Sequence, residues 1–264
     1  MAPSDGKILV ERDGEIATVT LHNPAKLNAL TVAMWEGLRG ALATLSADDA
    51  LRCIVLRGAG RDAFAAGADI DEFEHARANA EQGKRYHRDL VHGALEAVAN
   101  CRHPTVAMIH GPCVGGGMEI ACMCDLRIAG RSGRFGVPIN RLGFAIAYSE
   151  LAGVLALAGR AVAAEILLEG RMWKADEAYA KGLLTRVVPD AAVEREAYAT
   201  ARRIADGAPL VARWHKEFIR RLTLGAPPLT AAEIDANFDY LQTDDYRQGI
   251  AAFIAKQKPA FKGK

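Results

Sequence analysis

The sequence predicts an α/β fold that gives way to a helical C-terminal region. Short apolar runs of strand type alternate with amphipathic helices through the first two-thirds of the chain. One such run, residues 105–109, delivers the chain to three consecutive glycines, Gly115, Gly116 and Gly117, which open a helix carrying Glu119. From Gly143 onward the periodicity is helical almost throughout, with Val187-Val188-Pro189 as a last short strand. The expected division is an α/β core over residues 1–188 that holds the ligand site, and a helical region over residues 189–264 that serves oligomerisation and ligand contact.

Taken in order, residues 8–11 and 16–21 flank Asp13-Gly14 and read as a hairpin. A polar loop, residues 22–30, follows. Leu30, Met34, Leu38, Leu42 and Leu45 then recur at three and four residues and give an amphipathic helix. Residues 53–56 are a buried strand, and residues 58–68 a loop rich in Gly and Ala, where a ligand or another backbone can come close. The charged stretch 71–82 reads as mobile. Tyr86, Leu90, Ala94 and Val98 mark one long helix ending near Asn100. After the glycine-opened helix, residues 126–129 form another strand. Helices are expected over 147–157, 161–168, 175–181, 191–205, 210–222, 230–240 and 244–256.

The chain has 264 residues, half of them hydrophobic and a quarter charged, and 33 Lys plus Arg against 32 Asp plus Glu. Without a basic tract there is no footprint for nucleic acid. The first residues lack a basic start and a long apolar run, and no uninterrupted apolar stretch reaches about 18 residues, so neither a signal peptide nor a membrane span is expected. Five cysteines, Cys53, Cys101, Cys113, Cys122 and Cys124, are odd in number and lack zinc-ligand spacing. They read as buried thiols of a cytoplasmic protein, with no metal site.

The glycine triplet leaves backbone N–H groups bare at the positive end of a helix, which suits negative charge on a ligand. Charge that develops during a reaction would find half of an oxyanion hole there. Gly116 and Glu119, three residues apart, share a helix face at roughly 4.5 Å along the axis. A structural alternative stands beside this: the glycines only allow close packing, and Glu119 only complements the helix dipole.

Five blocks now carry a resemblance: Asn23-Pro24-x-Lys26-x-Asn28-Ala29-Leu30; Phe64-Ala65-Ala66-Gly67-Ala68-Asp69-Ile70; Pro112 through Glu119; Phe135-Gly136-x-Pro138; and, towards the C-terminus, Ala175-Asp176-Glu177-Ala178 with Gly182-Leu183 and Ala252-Phe253-x-x-Lys256. In this order and spacing the chain resembles the crotonase superfamily, the enoyl-CoA hydratase and isomerase family, over nearly its whole length. The resemblance implies a spiral of ββα repeats with a C-terminal helical trimerisation region, assembled as a trimer or dimer of trimers. It implies an acyl-CoA thioester substrate in fatty-acid or related metabolism, with coenzyme A as part of that substrate and no separate cofactor. The oxyanion-hole donors map onto the N–H groups of Ala68 and Gly116, and the catalytic carboxylate onto Glu119. Coenzyme A contacts map onto Ala25, Lys26, Leu27, Ala66, Ala68, Asp69 and Ile70, with Phe253 and Lys256 reaching in from a neighbouring subunit.

Two departures stand out. Hydratases of the family place a second glutamate directly after the proline of Phe-Gly-x-Pro, where this chain has Ile139. Residues 142–148 also lack the family's Pro-Gly-x-Gly-Gly run. Asn140, Tyr148, Ser149 and Glu150 are candidate replacements for the missing acid, with Glu150 expected to start or decorate a surface helix. His75, His87, His92, His103 and His110 fall in no pairing motif. The expected activity is hydration of a 2-trans-enoyl-CoA, with isomerisation by Glu119 alone as the rival and an acyl-CoA-binding paralogue of little turnover behind both.

Overall fold

Nine strands and eleven helices succeed one another in this computed structural model, which describes residues 6–143, 145–222, 227–228, 230–236, 239–257 and 259–264, with only the backbone of residues 234, 235, 240, 253 and 254. The strands are β1 (Lys7–Asp13), β2 (Ile16–His22), β3 (Cys53–Gly58), β4 (Thr105–Ile109), β5 (Pro112–Val114), β6 (Leu126–Gly130), β7 (Arg134–Gly136), β8 (Trp173–Lys174) and β9 (Arg186–Val188). The helices are α1 (Val32–Ala47), α2 (Phe73–Ala76), α3 (Ala80–Arg85), α4 (His92–Asn100), α5 (Gly116–Met123), α6 (Tyr148–Glu169), α7 (Ala175–Ala180), α8 (Val193–Ala205), α9 (Pro209–Arg221), α10 (Ala231–Ala236) and α11 (Asp244–Ile254).

Six strands form the main sheet in the order β1-β2-β3-β4-β6-β9, antiparallel only between β1 and β2. Side chains alternate across a strand, so a parallel sheet buried on both faces splits its apolar residues into two sets. Ile54, Leu56, Ala107, Ile109 and Ala129 face the larger core with α1 and α4. Cys53, Val55, Val106, Met108 and Ile128 face the other way, against Val193, Ala197, Ala201 and Ala205 of α8.

A second sheet, β5-β7-β8, is fed from the first. The chain leaves β4 for β5 and then α5, and leaves β6 for β7 and then a 3-10 turn, Pro138–Leu142, before α6. The loop after β3 joins the same layer through single parallel bridges, Ala65 to Cys113 and Leu30 to Ala68. Successive turns therefore stack as strand, short strand and helix, the spiral that the resemblance implied.

Two expectations change. Residues 71–82 are ordered into a 3-10 turn, α2 and the start of α3, anchored where Glu72 accepts a 2.7 Å bond from Val32 N–H at the start of α1. The expected single helix from Tyr86 to Asn100 is a π turn, Tyr86–Val91, followed by α4. The apolar helix α6 contains an 18-residue window of mean hydropathy 1.9, yet Gly159 at φ 77° and ψ 173° breaks it. Each half falls well short of the roughly 20 residues that a membrane span needs. All five cysteines are unpaired, four of them buried.

Candidate active site

The site begins with the register of one bridge. Ala65 pairs with Cys113 in parallel, with Val114 N–H donating to Ala65 O at 3.0 Å. Stepping both chains forward by equal counts sets Gly67 beside Gly115 and Ala68 beside Gly116. The stepping holds, because a Cβ built on Gly115 would lie 3.7 Å from the Gly67 Cα. Gly115 sits at φ 49° and ψ −123°, a backbone shape open only to glycine, and it turns the chain from β5 into α5. A Cβ on Gly116 would come within 2.8 Å of the Trp35 ring, so the first turn of α5 packs flush against α1.

Two backbone donors result. Ala68 lies between Gly67, whose carbonyl accepts from Leu30 N–H at 2.8 Å, and Asp69, whose N–H donates to Leu30 O at 2.8 Å. Those bonds fix the peptide while leaving the Ala68 N–H unused. Gly116 opens α5, where N–H groups have no intrahelical acceptor. Among the described residues neither N–H has a protein acceptor. Two bare donors on adjacent, rigidly bridged segments have the form of an oxyanion hole.

Glu119 stands one turn into α5 and is only 6% exposed. Among the described residues, burial and, after it, the charge of Glu150 are the influences found on its carboxyl, and they hold it well above the ordinary carboxylate range. Tyr86 lies nearby with its phenol pushed up to about 12, chiefly by burial.

Glu150 corrects the expectation of a surface helix start. It is 4% exposed, and its charge acts on Glu119 across the site. Its Oε2 does accept from Ala147 N–H at 3.3 Å, as an acid in a helix's first turn does. Its Oε1, however, lies 2.6 Å from Nδ1 of His87. The other His87 nitrogen, Nε2, is 3.1 Å from Nη1 of Arg77. The histidine that no motif paired is thus paired by the fold, across 63 residues of sequence. The other three candidates face elsewhere. Tyr148 is 95% exposed, Ser149 lies outside this pairing, and Asn140 donates to Leu168 O at 3.1 Å. Ile139 sits half-buried in the turn after β7, packed on the core.

The segments expected to hold coenzyme A come together. Ala66 N–H donates to Leu27 O at 3.0 Å, and Lys26 Nζ reaches Asp69 at 2.7 Å and Asp71 at 2.8 Å. These carboxylates raise the Lys26 ammonium above its ordinary value. Buried Asn28 locks the loop, accepting from Asn23 N–H and donating to Ala63 O. Ala25, Leu27 and Ile70 are exposed along the resulting rim. Lys256 is exposed at the end of α11, and the side chain of Phe253 lies outside the described residues.

Comparison with known proteins gives matches over nearly the whole chain. The sequence model of the family described as Enoyl-CoA hydratase/isomerase matches residues 11–264. A probable enoyl-CoA hydratase of Rhizobium meliloti (strain 1021) is 38% identical over 262 residues, covering 97% of each chain. The short-chain-enoyl-CoA hydratase of Clostridium acetobutylicum is 30% identical, covering 95% of each. The crystal structure of an enoyl-CoA hydratase/carnithine racemase from Magnetospirillum magneticum superposes with a TM-score of 0.95 at 53% identity, covering 97% of this chain and 96% of that one. With the spiral fold, the full-length match and the paired glycine loops in agreement, the chain belongs to the enoyl-CoA hydratase/isomerase, or crotonase, family.

Proposed function

We propose that the protein hydrates a 2-trans-enoyl-CoA to the 3-hydroxyacyl-CoA. The observation that carries this reading is the pair of unused N–H groups, Ala68 and Gly116, the latter one helical turn from a buried acid, Glu119. The thioester oxygen takes both N–H bonds. Electron density pushed onto it as water attacks C3 is held as an enolate by donors that need no reorganisation. Glu119, whose carboxyl its surroundings hold well above the ordinary range, gives a proton to C2. The rim of Ala25, Lys26, Leu27, Ala66, Asp69 and Ile70 serves the coenzyme A moiety, largely through backbone groups. Lys256 and Phe253 of a neighbouring subunit complete it.

Isomerisation of an enoyl-CoA is the second reading, and Ile139 favours it, since one carboxylate suffices to carry a proton between carbons. A second buried carboxylate, Glu150, whose charge acts on Glu119, favours hydration. Purified protein on a panel of enoyl-CoA thioesters, wild type against Glu119→Gln, tests the reading. Hydration should fall by about 10²–10⁴-fold in the variant. Undiminished turnover in Glu119→Gln, or double-bond migration without hydration by the wild type, would count against it.

The assembly is proposed to be a trimer or dimer of trimers. Support comes from α6, which leaves Tyr148, Leu155 and Leu168 at 95%, 43% and 79% exposure on one protomer. A sedimenting species of 28.3 kDa would contradict this.

A further inference from the structure

Arg77, His87 and Glu150 form a hydrogen-bonded line that ends at a buried carboxylate on α6, the helix packed beside α5, which carries Glu119. Arginine has only donors, so Arg77 Nη1 must donate to Nε2 of His87 at 3.1 Å. That fixes the imidazole as the tautomer with its proton on Nδ1, and Nδ1–H donates to Glu150 Oε1 at 2.6 Å. Arg77 itself is held by its guanidinium lying over the Phe73 ring, 3.4 Å from the centroid. Glu150 thus receives two N–H bonds, one from His87 and one from Ala147, as a carboxylate anion requires. A glutamate that merely caps α6 needs neither the histidine nor burial to 4% exposure.

We propose that Glu150, oriented by His87 and Arg77, is the general base that activates water in this site, doing from the start of α6 what Ile139 cannot do from the turn after β7. The assignment rests on the hydratase reading above. Glu150 takes a proton from water as the water oxygen bonds to C3. The C2=C3 electron pair moves onto the thioester oxygen, held by Ala68 and Gly116. Collapse of the enolate draws the Glu119 proton to C2. Water has then been added across the double bond, and the proton left on Glu150 returns to Glu119 as product leaves and solvent enters. Glu150 is the catalytic group; His87 and Arg77 are positioning residues.

The test measures kcat and KM of hydration for wild type, Glu150→Gln, His87→Leu and His87→Asn, with melting curves alongside. In Glu150→Gln, kcat should fall by about 10²–10⁴-fold with KM nearly unchanged. His87→Leu should lower kcat, again with KM nearly unchanged. His87→Asn, which can still donate an N–H to Glu150, should recover part of that loss. Wild-type kcat in a folded Glu150→Gln would overturn the proposal. Should that variant not fold, wild-type kcat in His87→Leu overturns it instead. A wild type that hydrates no enoyl-CoA defeats the hydratase reading and this role with it, whereas an active wild type with an indifferent Glu150 variant defeats the role alone.

Discussion

Burial and the charge of Glu150 raise the Glu119 carboxyl well above its ordinary 4.5, and a group perturbed in this direction is a cost to the fold as well as a catalytic asset. Below about 4.5 both folded and unfolded chains hold the proton, and nothing is lost. As pH rises from there towards the elevated folded value, the unfolded chain gives up its proton while the folded chain keeps it. The unfolded state then binds fewer protons, so stability falls with rising pH across that window. Glu119→Gln removes the titration. Its melting temperature should exceed that of the wild type by more at about pH 8 than at about pH 5, each kcal/mol being worth roughly 2–4 °C. An equal difference at both pH values would show that Glu119 is not the perturbed group. At this scale the sequence was only partly legible. Glu119 and Gly116 sit in one local motif and can be read from it. Glu150 cannot, because its two functions belong to different ranges. The bond to Ala147 N–H is local and suggests a helix start, while the bond to His87 exists only after α6 packs beside the π turn.

At the scale of elements, the oxyanion pair depends on how closely α5 approaches its neighbours. The bridge from Ala65 to Cys113 sets the register, and the absence of side chains at Gly115 and Gly116 sets the distance. A methyl group on Gly116 would meet the Trp35 ring at 2.8 Å and Leu30 at 3.1 Å, so α5 would have to shift. Overpacking of this kind costs about 1–3 kcal/mol of stability. Displacing one oxyanion donor costs about 2.7–4 kcal/mol of transition-state stabilisation, or roughly 10²–10³-fold in kcat. Gly116→Ala should therefore fold, bind acyl-CoA and turn over at that reduced rate; a kcat within a few-fold of wild type would remove Gly116 from the oxyanion hole. The long strands and amphipathic helices were legible because apolar periodicity encodes them. The strands β5, β7 and β8 were not, being two or three residues long and defined by partners across the second sheet. The π turn at Tyr86–Val91 was hidden for a related reason. Its side-chain spacing resembles an α-helix, and it carries His87, which reaches Glu150 on α6.

Across the whole molecule, the proposed site draws its groups from four separate stretches of chain. Ala68 comes from the loop after β3, His87 from the turn before α4, Gly116 and Glu119 from α5, and Glu150 from the start of α6. The stretches of Ala68 and of Gly116 with Glu119 were readable from the family resemblance, whereas His87 and Glu150 are joined only by the fold. The central claim is that this site forms and holds a thioester enolate. Exchange of the C2 hydrogens of a saturated acyl-CoA with D₂O tests it most directly, since such a substrate can be enolised but not hydrated. The account predicts deuterium incorporation at C2 by the wild-type protein and a loss of about 10²–10⁴-fold in Glu119→Gln. No exchange by the wild type, or the same exchange by Glu119→Gln, would contradict it.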